Sequence, residues 1–124
     1  MKKINIFNQN IKLINSNKVF EPNLTTQALI EACNKLKFNK KKKILDLGSG
    51  SGIIGIFLKK KFKKKIDIFL SDYSKHAINI IKSNLRNNKI TGITKQSDIL
   101  KGWKNEKFDL IINDISAISS DIAQ

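Results

Sequence analysis

The spacing of apolar residues changes several times along the chain, and each change predicts a different element. Over residues 4–20, short apolar alternations are interrupted at residues 8–10 and 15–17, where asparagine dominates. This pattern predicts a small hairpin or an extended arm. A break at residues 21–23 follows. We therefore assign residues 1–22 to an N-terminal arm or hairpin and residues 23–124 to the main domain.

A helical spacing begins after this break and predicts a helix that runs to about Lys37. Asn23 or Thr25 can cap its first turn, because both side chains accept hydrogen bonds from backbone amides. Five side chains recur at the spacing of one helix face, which we expect to be buried: Ala28, Leu29, Ala32, Cys33 and Leu36.

From residue 43 onward, dense apolar runs alternate with helical spacing. The apolar runs predict strands at residues 43–47, 66–71, 90–97 and 107–113. The helical spacing predicts helices at residues 52–62 and 74–88, and a weak turn lies around residues 99–104. Strands that are separated by helices form right-handed crossovers. We therefore predict an α/β fold in which a parallel sheet has helices on both faces.

The size of the chain limits the class of protein. Its 124 residues suffice for one domain with a single core. There is no apolar run of about 18 residues and no apolar stretch of signal-peptide length after Met1, so we expect a cytoplasmic protein without a membrane span. The one cysteine, Cys33, cannot form an internal disulfide, and its helical surroundings predict a buried thiol.

The net charge of +14 suggests a nucleic-acid partner. Nearly all the cations are lysine, however, and Arg86 is the only arginine, which is the composition that an AT-rich genome produces without any partner. The lysine runs at residues 40–43, 59–61 and 63–65 precede predicted strands, whereas ligands of parallel sheets bind at the opposite ends. We therefore favour a solvated surface over a nucleic-acid site for these runs.

A glycine-rich turn follows the first predicted strand. Gly50, Gly52 and Gly55 fit a dinucleotide fingerprint, with Asp72 twenty positions after Gly52, and this spacing keeps NAD as a minor alternative. Asp46 favours a different ligand, because a carboxylate beside the turn repels pyrophosphate. The pattern Asp46-x-Gly48-x-Gly50-x-Gly52 resembles motif I of the class I S-adenosylmethionine-dependent methyltransferases.

This resemblance covers about residues 20–120 and implies a Rossmann-like sheet with strand order 3-2-1-4. It implies that Asp46 holds the methionine amino end, that Asp72 accepts hydrogen bonds from the ribose hydroxyls, and that Asp98 receives the adenine amino group. The two latter acids also have structural interpretations, since an acid after a strand can form a turn or cap a helix. The implied cofactor-binding residues are Asp46, Gly48, Ser49, Gly50, Gly52, Asp72, Tyr73, Asp98 and Ile99.

The end of the fourth predicted strand, residues 113–116, resembles the Asn-Pro-Pro-Tyr/Phe motif of amino-methylating enzymes such as the release-factor glutamine methyltransferases. The resemblance implies that Asn113 orients a target amine and that Asp114 accepts a proton or contacts a cationic group. Asp114 and Ile115 replace both prolines, and Ser116 replaces the aromatic residue. We therefore predict methylation of a nitrogen in a protein or RNA substrate, without a more specific target.

The chain ends soon after this motif, whereas domains of this class continue through three more strands. We expect a fragment of a longer product, with the exposed fourth strand covered by the missing part or by an oligomer. A non-catalytic cofactor-binding module is the main alternative to an enzyme. No metal site is evident, and Trp103 either covers the adenine near Asp98 or packs on the core.

Overall fold

The computed structural model describes residues 1–14, 23–98 and 100–114, and it contains six strands and three α-helices in those ranges. Their order along the chain is β1 (Lys2–Ile6), β2 (Gln9–Leu13), α1 (Leu24–Asn34), β3 (Lys42–Leu47), α2 (Ile53–Phe62), β4 (Ile66–Asp72), α3 (Lys75–Asn87), β5 (Ile93–Gln96) and β6 (Leu110–Asn113). Two 3-10 helices cover Lys63–Lys65 and Lys101–Trp103. No helix in these ranges is long and apolar enough to cross a bilayer.

Four strands form a parallel sheet in the order β5-β4-β3-β6. The central strand β3 pairs with β4 and β6, so that Ile44 lies between Ile68 and Leu110. This order is the predicted 3-2-1-4 arrangement. All four strands point the same way, and the sheet therefore has one edge where the strands begin and another where they end. We call these the amino edge and the carboxyl edge.

The three α-helices bury most of their large apolar side chains in one cluster on one face of the sheet. Ile44 and Leu70 contribute from the sheet, Phe57 from α2 and Ile81 from α3, and each of these four side chains is fully buried. Cys33 of α1 also lies in this cluster, and burial raises the pKa of its thiol to about 11. The prediction of a buried thiol is confirmed.

The second face of the sheet differs from the prediction. Leu45, Leu47 and Phe69 pack there against Trp103, with the Trp103 ring 5.8 Å from the Phe69 ring. In the described part of the chain, this face is covered by the 3-10 helix that contains Trp103 and by Phe108, not by an α-helix. Of the two alternatives for Trp103, packing on the core is the one that the structure shows.

The hairpin β1–β2 is confirmed, and it packs on the main core instead of projecting from it. Ile11 and Leu13 are 1% and 2% exposed and belong to the first cluster. Asn84 of α3 and Asn88, the residue that caps the end of this helix, hold the hairpin backbone. Asn84 Oδ1 accepts from the Ile14 amide at 2.8 Å, and Asn88 exchanges hydrogen bonds of 2.8 and 2.7 Å with Lys12. The domain boundary at residue 22 stays a prediction, since residues 15–22 lie outside the described ranges.

Several elements differ from their predictions in extent or orientation. Helix α1 ends at Asn34 and buries Thr26, Ile30 and Cys33, so the predicted face was wrong for Ala28 and Ala32, which are exposed. Asn23 caps this helix, because its side chain accepts from the Thr26 amide.

Two strands are shorter than predicted because local contacts use their first residues. Strand β5 begins at Ile93, since the preceding residues close α3: the Ile90 amide donates to the Leu85 carbonyl at 3.0 Å. Strand β6 begins at Leu110, and the Asp109 carboxylate accepts from the Lys43 amide at 2.7 Å.

Candidate cofactor site at the carboxyl edge

The glycine turn lies at the carboxyl edge, directly after β3. Gly48, Gly50 and Gly52 have φ angles of +70°, +60° and +85°, a region that side chains with a Cβ atom rarely adopt. Helix α2 starts at the next residue, so its first amide groups face the turn. The turn is therefore a backbone surface that a ligand can approach closely.

The next glycine, Gly55, allows α2 to pack closely on the sheet. A Cβ atom at this position would lie 2.6 Å from the Cδ2 atom of Leu70. Gly55 also donates its amide to Asp46 Oδ2 at 3.0 Å. The acid at the end of β3 thereby fixes the start of α2 against the strand.

Asp46 is the most unusual ionisable group of the site. Its side chain is 1% exposed, and its second oxygen, Oδ1, has no hydrogen-bond partner. Burial raises the pKa of Asp46 to about 7; the Gly55 amide and the Ser49 side chain oppose this shift, and the charges of Asp114 and Asp72 add to it. A positive charge nearby would stabilise the ionised form of this carboxylate.

Asp72, the last residue of β4, connects this strand to the glycine turn. Its Oδ2 accepts from the Gly50 amide at 3.0 Å, and its Oδ1 accepts from the Ser74 amide at 2.9 Å. The turn-forming interpretation of this acid is therefore confirmed, together with a contact to the glycine turn. Each carboxylate oxygen has two lone pairs, and the half-buried Asp72 keeps capacity for further donors.

Two predicted neighbours complete this part of the site. Ser49 is buried and donates its hydroxyl to the Asp46 carbonyl at 2.6 Å, so it shapes the turn from inside. Tyr73 is 74% exposed, and its carbonyl accepts from the Gln96 side chain at 3.1 Å. The tyrosine ring therefore has room to move over the edge of the sheet.

Asp98 follows β5 at the same edge. Its carboxylate lies 3.3 Å from the Lys101 ammonium, and its carbonyl accepts from the Lys101 amide at 3.1 Å. The residue that caps the 3-10 helix at Lys101–Trp103 is Leu100, and no side chain donates or accepts a capping hydrogen bond there, so the capping interpretation of Asp98 is wrong. The backbone connects it to the rest of the site, because the Ser97 amide donates to the Asp72 carbonyl at 3.0 Å. The adjacent candidate, Ile99, lies outside the described residues.

The residues predicted to be catalytic lie beside the glycine turn. Asn113 is exposed, and its Oδ1 is 3.7 Å from the position that a Cβ atom on Gly48 would occupy. Asp114 Oδ2 accepts a short hydrogen bond from the hydroxyl of Thr26, a buried residue in the first turn of α1. Ile115 and Ser116, the rest of this motif, lie outside the described ranges.

Two structural contacts of the site were not predicted from the sequence. The Thr26–Asp114 bond joins residues 88 positions apart. Asn84 links the Ile14 amide to the glycine turn, since its side-chain amide donates to the Ser51 carbonyl at 2.8 Å. A signal for Asn84 exists in the sequence: it falls on the buried stripe of α3, where a polar side chain needs a partner.

Within the described ranges, no three histidine, cysteine or acidic side chains are grouped closely enough to hold a metal ion. Neither Asp46 nor Asp72 forms an ion pair with a lysine or arginine of these ranges. The site therefore combines hydrogen-bond acceptors and uncompensated negative charge with the backbone amides of a glycine turn.

Known proteins resemble this chain over most of its length. Residues 10–114 match the methyltransferase small domain family. A ribosomal RNA small subunit methyltransferase C from Actinobacillus pleuropneumoniae is 38% identical over 88 residues, which cover 71% of this chain and 26% of that protein. A release factor glutamine methyltransferase from Clostridium acetobutylicum is 31% identical over 108 residues, which cover 83% of this chain and 38% of that protein.

Solved structures share the fold. A T. thermophilus 16S rRNA N2 G1207 methyltransferase, in complex with AdoMet and guanosine, superimposes with a TM-score of 0.70 at 18% identity over 90% of this chain and 31% of that one. A ribosomal protein L11 methylase from Lactobacillus delbrueckii subsp. bulgaricus superimposes with a TM-score of 0.66 at 26% identity. The match covers 83% of this chain and 51% of that one. The chain spans only 26% and 38% of the two curated relatives described above.

Proposed function

The chain belongs to the methyltransferase small domain family, and from that premise we propose that it binds S-adenosylmethionine at the carboxyl edge and transfers its methyl group. The observation that carries this proposal is the convergence of Asp46, Asp72 and Asn113 around the glycine turn. These side chains offer acceptor oxygens, and the proposed cofactor offers hydroxyl and amino donors together with a positive sulfur.

The chemistry of Asp46 fits a cationic ligand. Its Oδ1 is buried without a partner, and the charges of Asp72 and Asp114 raise its pKa further. An ammonium or sulfonium group in the site would offset this repulsion, whereas a pyrophosphate would increase it. This difference supports S-adenosylmethionine over NAD, the alternative that the glycine spacing alone leaves open.

We assign the remaining binding roles by hydrogen-bond capacity. Asp72 holds the turn through Gly50 and keeps free lone pairs for two hydroxyl groups. Asp98 is half-exposed, with its side chain 51% accessible, so it can accept from an amino group while its carbonyl stays in the 3-10 turn. Gly48, Gly50 and Gly52 provide close backbone approach, and Ser49, Tyr73 and Ile99 flank these contacts.

S-adenosylmethionine supplies a methyl group on a sulfur that is already a good leaving group, so positioning of the acceptor is the main task of the protein. We assign this task to Asn113, whose side-chain oxygen faces the turn beside Gly48. Asp114 lies one residue further and interacts electrostatically with Asp46. Its second carboxylate oxygen can accept a proton from the target nitrogen, while Oδ2 stays bonded to Thr26.

The proposed acceptor is a nitrogen in RNA or protein. This class is supported by the names of two relatives, one a ribosomal RNA methyltransferase and the other a release factor glutamine methyltransferase. The loop that begins at Asn113 carries neither the prolines nor the aromatic residue of the related motif, so neither specificity transfers directly. The cytoplasmic location, the cover of the sheet edge and the non-catalytic alternative stay predictions.

Calorimetry tests the cofactor assignment directly. We expect saturable binding of S-adenosylhomocysteine, the demethylated product, and no saturable binding of NAD under the same conditions. Saturable binding of NAD alone would contradict the proposal. A transfer assay with radiolabelled S-adenosylmethionine on RNA and on protein then separates an enzyme from a binding module, because only an enzyme labels an acceptor.

A further inference from the structure

The amino edge carries a continuous basic surface that the proposed methyl transfer does not use. A shallow groove of about 850 Å³ lies between the end of α1 and the end of α2. Six of the eleven residues that line it are lysines, and none is acidic. The lysines are Lys35, Lys37, Lys61, Lys63, Lys64 and Lys65.

A second groove of about 480 Å³ continues this surface toward the start of β5. It shares Lys63 and Lys64 with the first groove, and its lining is also free of acids. Lys59, Lys60 and Lys89 are the lysines that it adds. We call these nine residues, from both grooves together, the lysine band.

Part of the lysine band has a structural role. The Lys59 ammonium donates to the carbonyls of Lys63 and Ile66 at 2.9 and 2.6 Å. The Lys60 ammonium donates to the Asn10 carbonyl, and that of Lys61 reaches the Asn34 carbonyl at 2.7 Å. These three cations lie at the end of α2, where unpaired carbonyls and the helix dipole favour positive charge.

None of the nine lysines of the band has a carboxylate within 4.0 Å among the described residues, whereas Lys41, Lys43 and Lys101 do. Lys41 pairs with Asp67, and Lys43 pairs with Glu106, at 3.2 and 2.5 Å. Like charges also crowd here: burial and the neighbouring Lys12 lower the pKa of Lys60. The band is therefore a zone of uncompensated positive charge and not an ordinary mixed surface.

Two lysines of the band have a left-handed backbone conformation, which is unfavourable for residues with a Cβ atom. Lys63 and Lys89 have φ angles of +53° and +56°, and Lys89 is the residue after the cap of α3, where glycine is usual. The left-handed conformation is unfavourable for a lysine, while glycine and asparagine tolerate it. AT-rich codon usage supplies asparagine as readily as lysine, so codon usage alone does not explain lysine at both positions.

The sequence alone favours a solvated surface for these lysine runs, but the acid-free grooves lead us to revise that interpretation, and we propose that the lysine band binds the phosphate backbone of RNA. This inference rests on the proposed function and selects RNA among the substrate classes named there. Ammonium groups act as point charges toward phosphates, and this contact needs no particular base sequence. Strand β4 separates the band from Asp72 by about 20 Å at ~3.3 Å per residue, so the band holds a segment of RNA outside the methyl-transfer site.

A membrane or a protein partner fits the band less well than RNA. Insertion into a membrane requires exposed apolar side chains, and a protein partner requires apolar anchors at the centre of its interface. The apolar side chains that line the first groove are Leu36, Phe38 and Phe62, and all three are buried or half-buried against the core. The two phenylalanine rings pack edge to face at 4.7 Å and are engaged with each other.

Salt-dependent RNA binding by the 124-residue chain tests this proposal. The probe is a fluorescein-labelled single-stranded RNA of about 20 nucleotides, followed by anisotropy at several KCl concentrations. We expect K64Q/K65Q to weaken binding about three- to tenfold near 100 mM KCl. The slope of log affinity against log salt should fall in magnitude by about 1.4, because each lost phosphate contact removes about 0.7.

The matched control is K82Q/K104Q, which removes the same charge from two exposed lysines outside both grooves. We expect this pair to change RNA affinity less than twofold. Equal losses in the two variants would overturn the proposal, since the charge would then act diffusely. Absence of RNA binding by the unaltered chain, or binding only to phosphatidylserine vesicles, would also overturn it.

Binding of S-adenosylhomocysteine is measured on the same samples. We expect K64Q/K65Q to retain the affinity of the unaltered chain, which shows that the variant is folded and that its defect is confined to RNA. Loss of both RNA binding and S-adenosylhomocysteine binding in K64Q/K65Q would contradict the separation of the two surfaces. RNA binding through the band without any S-adenosylhomocysteine binding would instead contradict the proposed function and leave the band assignment intact.

Discussion

At the scale of single residues, the pKa of Asp46 is shifted furthest from its ordinary value among the described residues. Its pKa in the folded chain is about 7, against an ordinary value of 3.8. Between roughly pH 4 and pH 7, the folded state therefore holds a proton that the unfolded state has lost. Linkage then requires the free energy of unfolding to fall as the pH rises through this window, and to level off above it.

Asp46→Asn is expected to remove this decline, because an amide does not titrate and its oxygen can still accept from the Gly55 amide. Above pH 7 the variant should be more stable than the unaltered chain by up to about 4 kcal/mol. Urea unfolding at a series of pH values measures the effect. Asp67→Asn, at a half-exposed acid paired with Lys41, is the control. An unchanged pH profile in Asp46→Asn would contradict the burial argument.

Asp72 offers the most direct mutational test of cofactor binding. Asp72→Ala removes the acceptor of the Gly50 amide and the proposed acceptor of the ribose hydroxyls. We expect S-adenosylhomocysteine affinity to fall more than tenfold, on the order of 1.4 kcal/mol, because hydrogen bonds to a charged group are lost. Titration calorimetry checks this, with Asp67→Ala as the control at the same strand. An intact fold with unchanged affinity would remove Asp72 from the site.

The sequence predicted the location of these acids better than their contacts. Asp46 and Asp72 lie at the carboxyl ends of β3 and β4, and Asp98 lies two residues after β5, so their positions along the carboxyl edge could be inferred from the predicted strands. The hydrogen-bond partner of Asp114 could not be inferred from the sequence, because the Thr26 hydroxyl lies on a helix 88 residues earlier. Such a contact depends on how α1 packs, which local spacing does not determine.

At the scale of elements, α3 connects the hairpin to the glycine turn. Asn84 is fully buried, and it bonds the Ile14 amide on one side and the Ser51 carbonyl on the other. Asn84→Ala would leave both backbone groups without a partner in the core. We expect it to lower the free energy of unfolding by about 2–4 kcal/mol, since each unsatisfied buried group costs about 1–3 kcal/mol.

Urea unfolding of Asn84→Ala measures this loss, and calorimetry with S-adenosylhomocysteine shows whether the turn is displaced as well. Asn79→Ala, at an exposed position of the same helix, is the matched control and should change stability by less than about 0.5 kcal/mol. If the two variants were equally stable, the hairpin and the turn would not depend on Asn84.

The prediction of elements succeeded where the apolar runs are dense and failed at element ends. Strands β3 and β4 were placed within one residue, because each is buried on both faces. Strand β5 starts three residues later than predicted, since Lys89 and Ile90 close α3 instead. The face of α1 was partly wrong because alanine fits both buried and exposed positions.

At the scale of the whole molecule, the two edges of the sheet have opposite chemistry. The carboxyl edge gathers acceptor oxygens around the glycine turn, and the amino edge gathers the lysine band. The net charge of +14 could be read from composition, and so could the placement of the lysine runs before the strands. That several lysines have no acidic partner depends on tertiary packing, which the sequence does not show.

The central claim is that the carboxyl edge binds the cofactor, and amide chemical-shift mapping with S-adenosylhomocysteine tests it most directly. We predict saturable shifts at Gly50, Gly52 and Asp72, with none at Lys64 and Lys65 across the sheet. Shifts confined to the amino edge, or no saturable shift anywhere, would contradict the account.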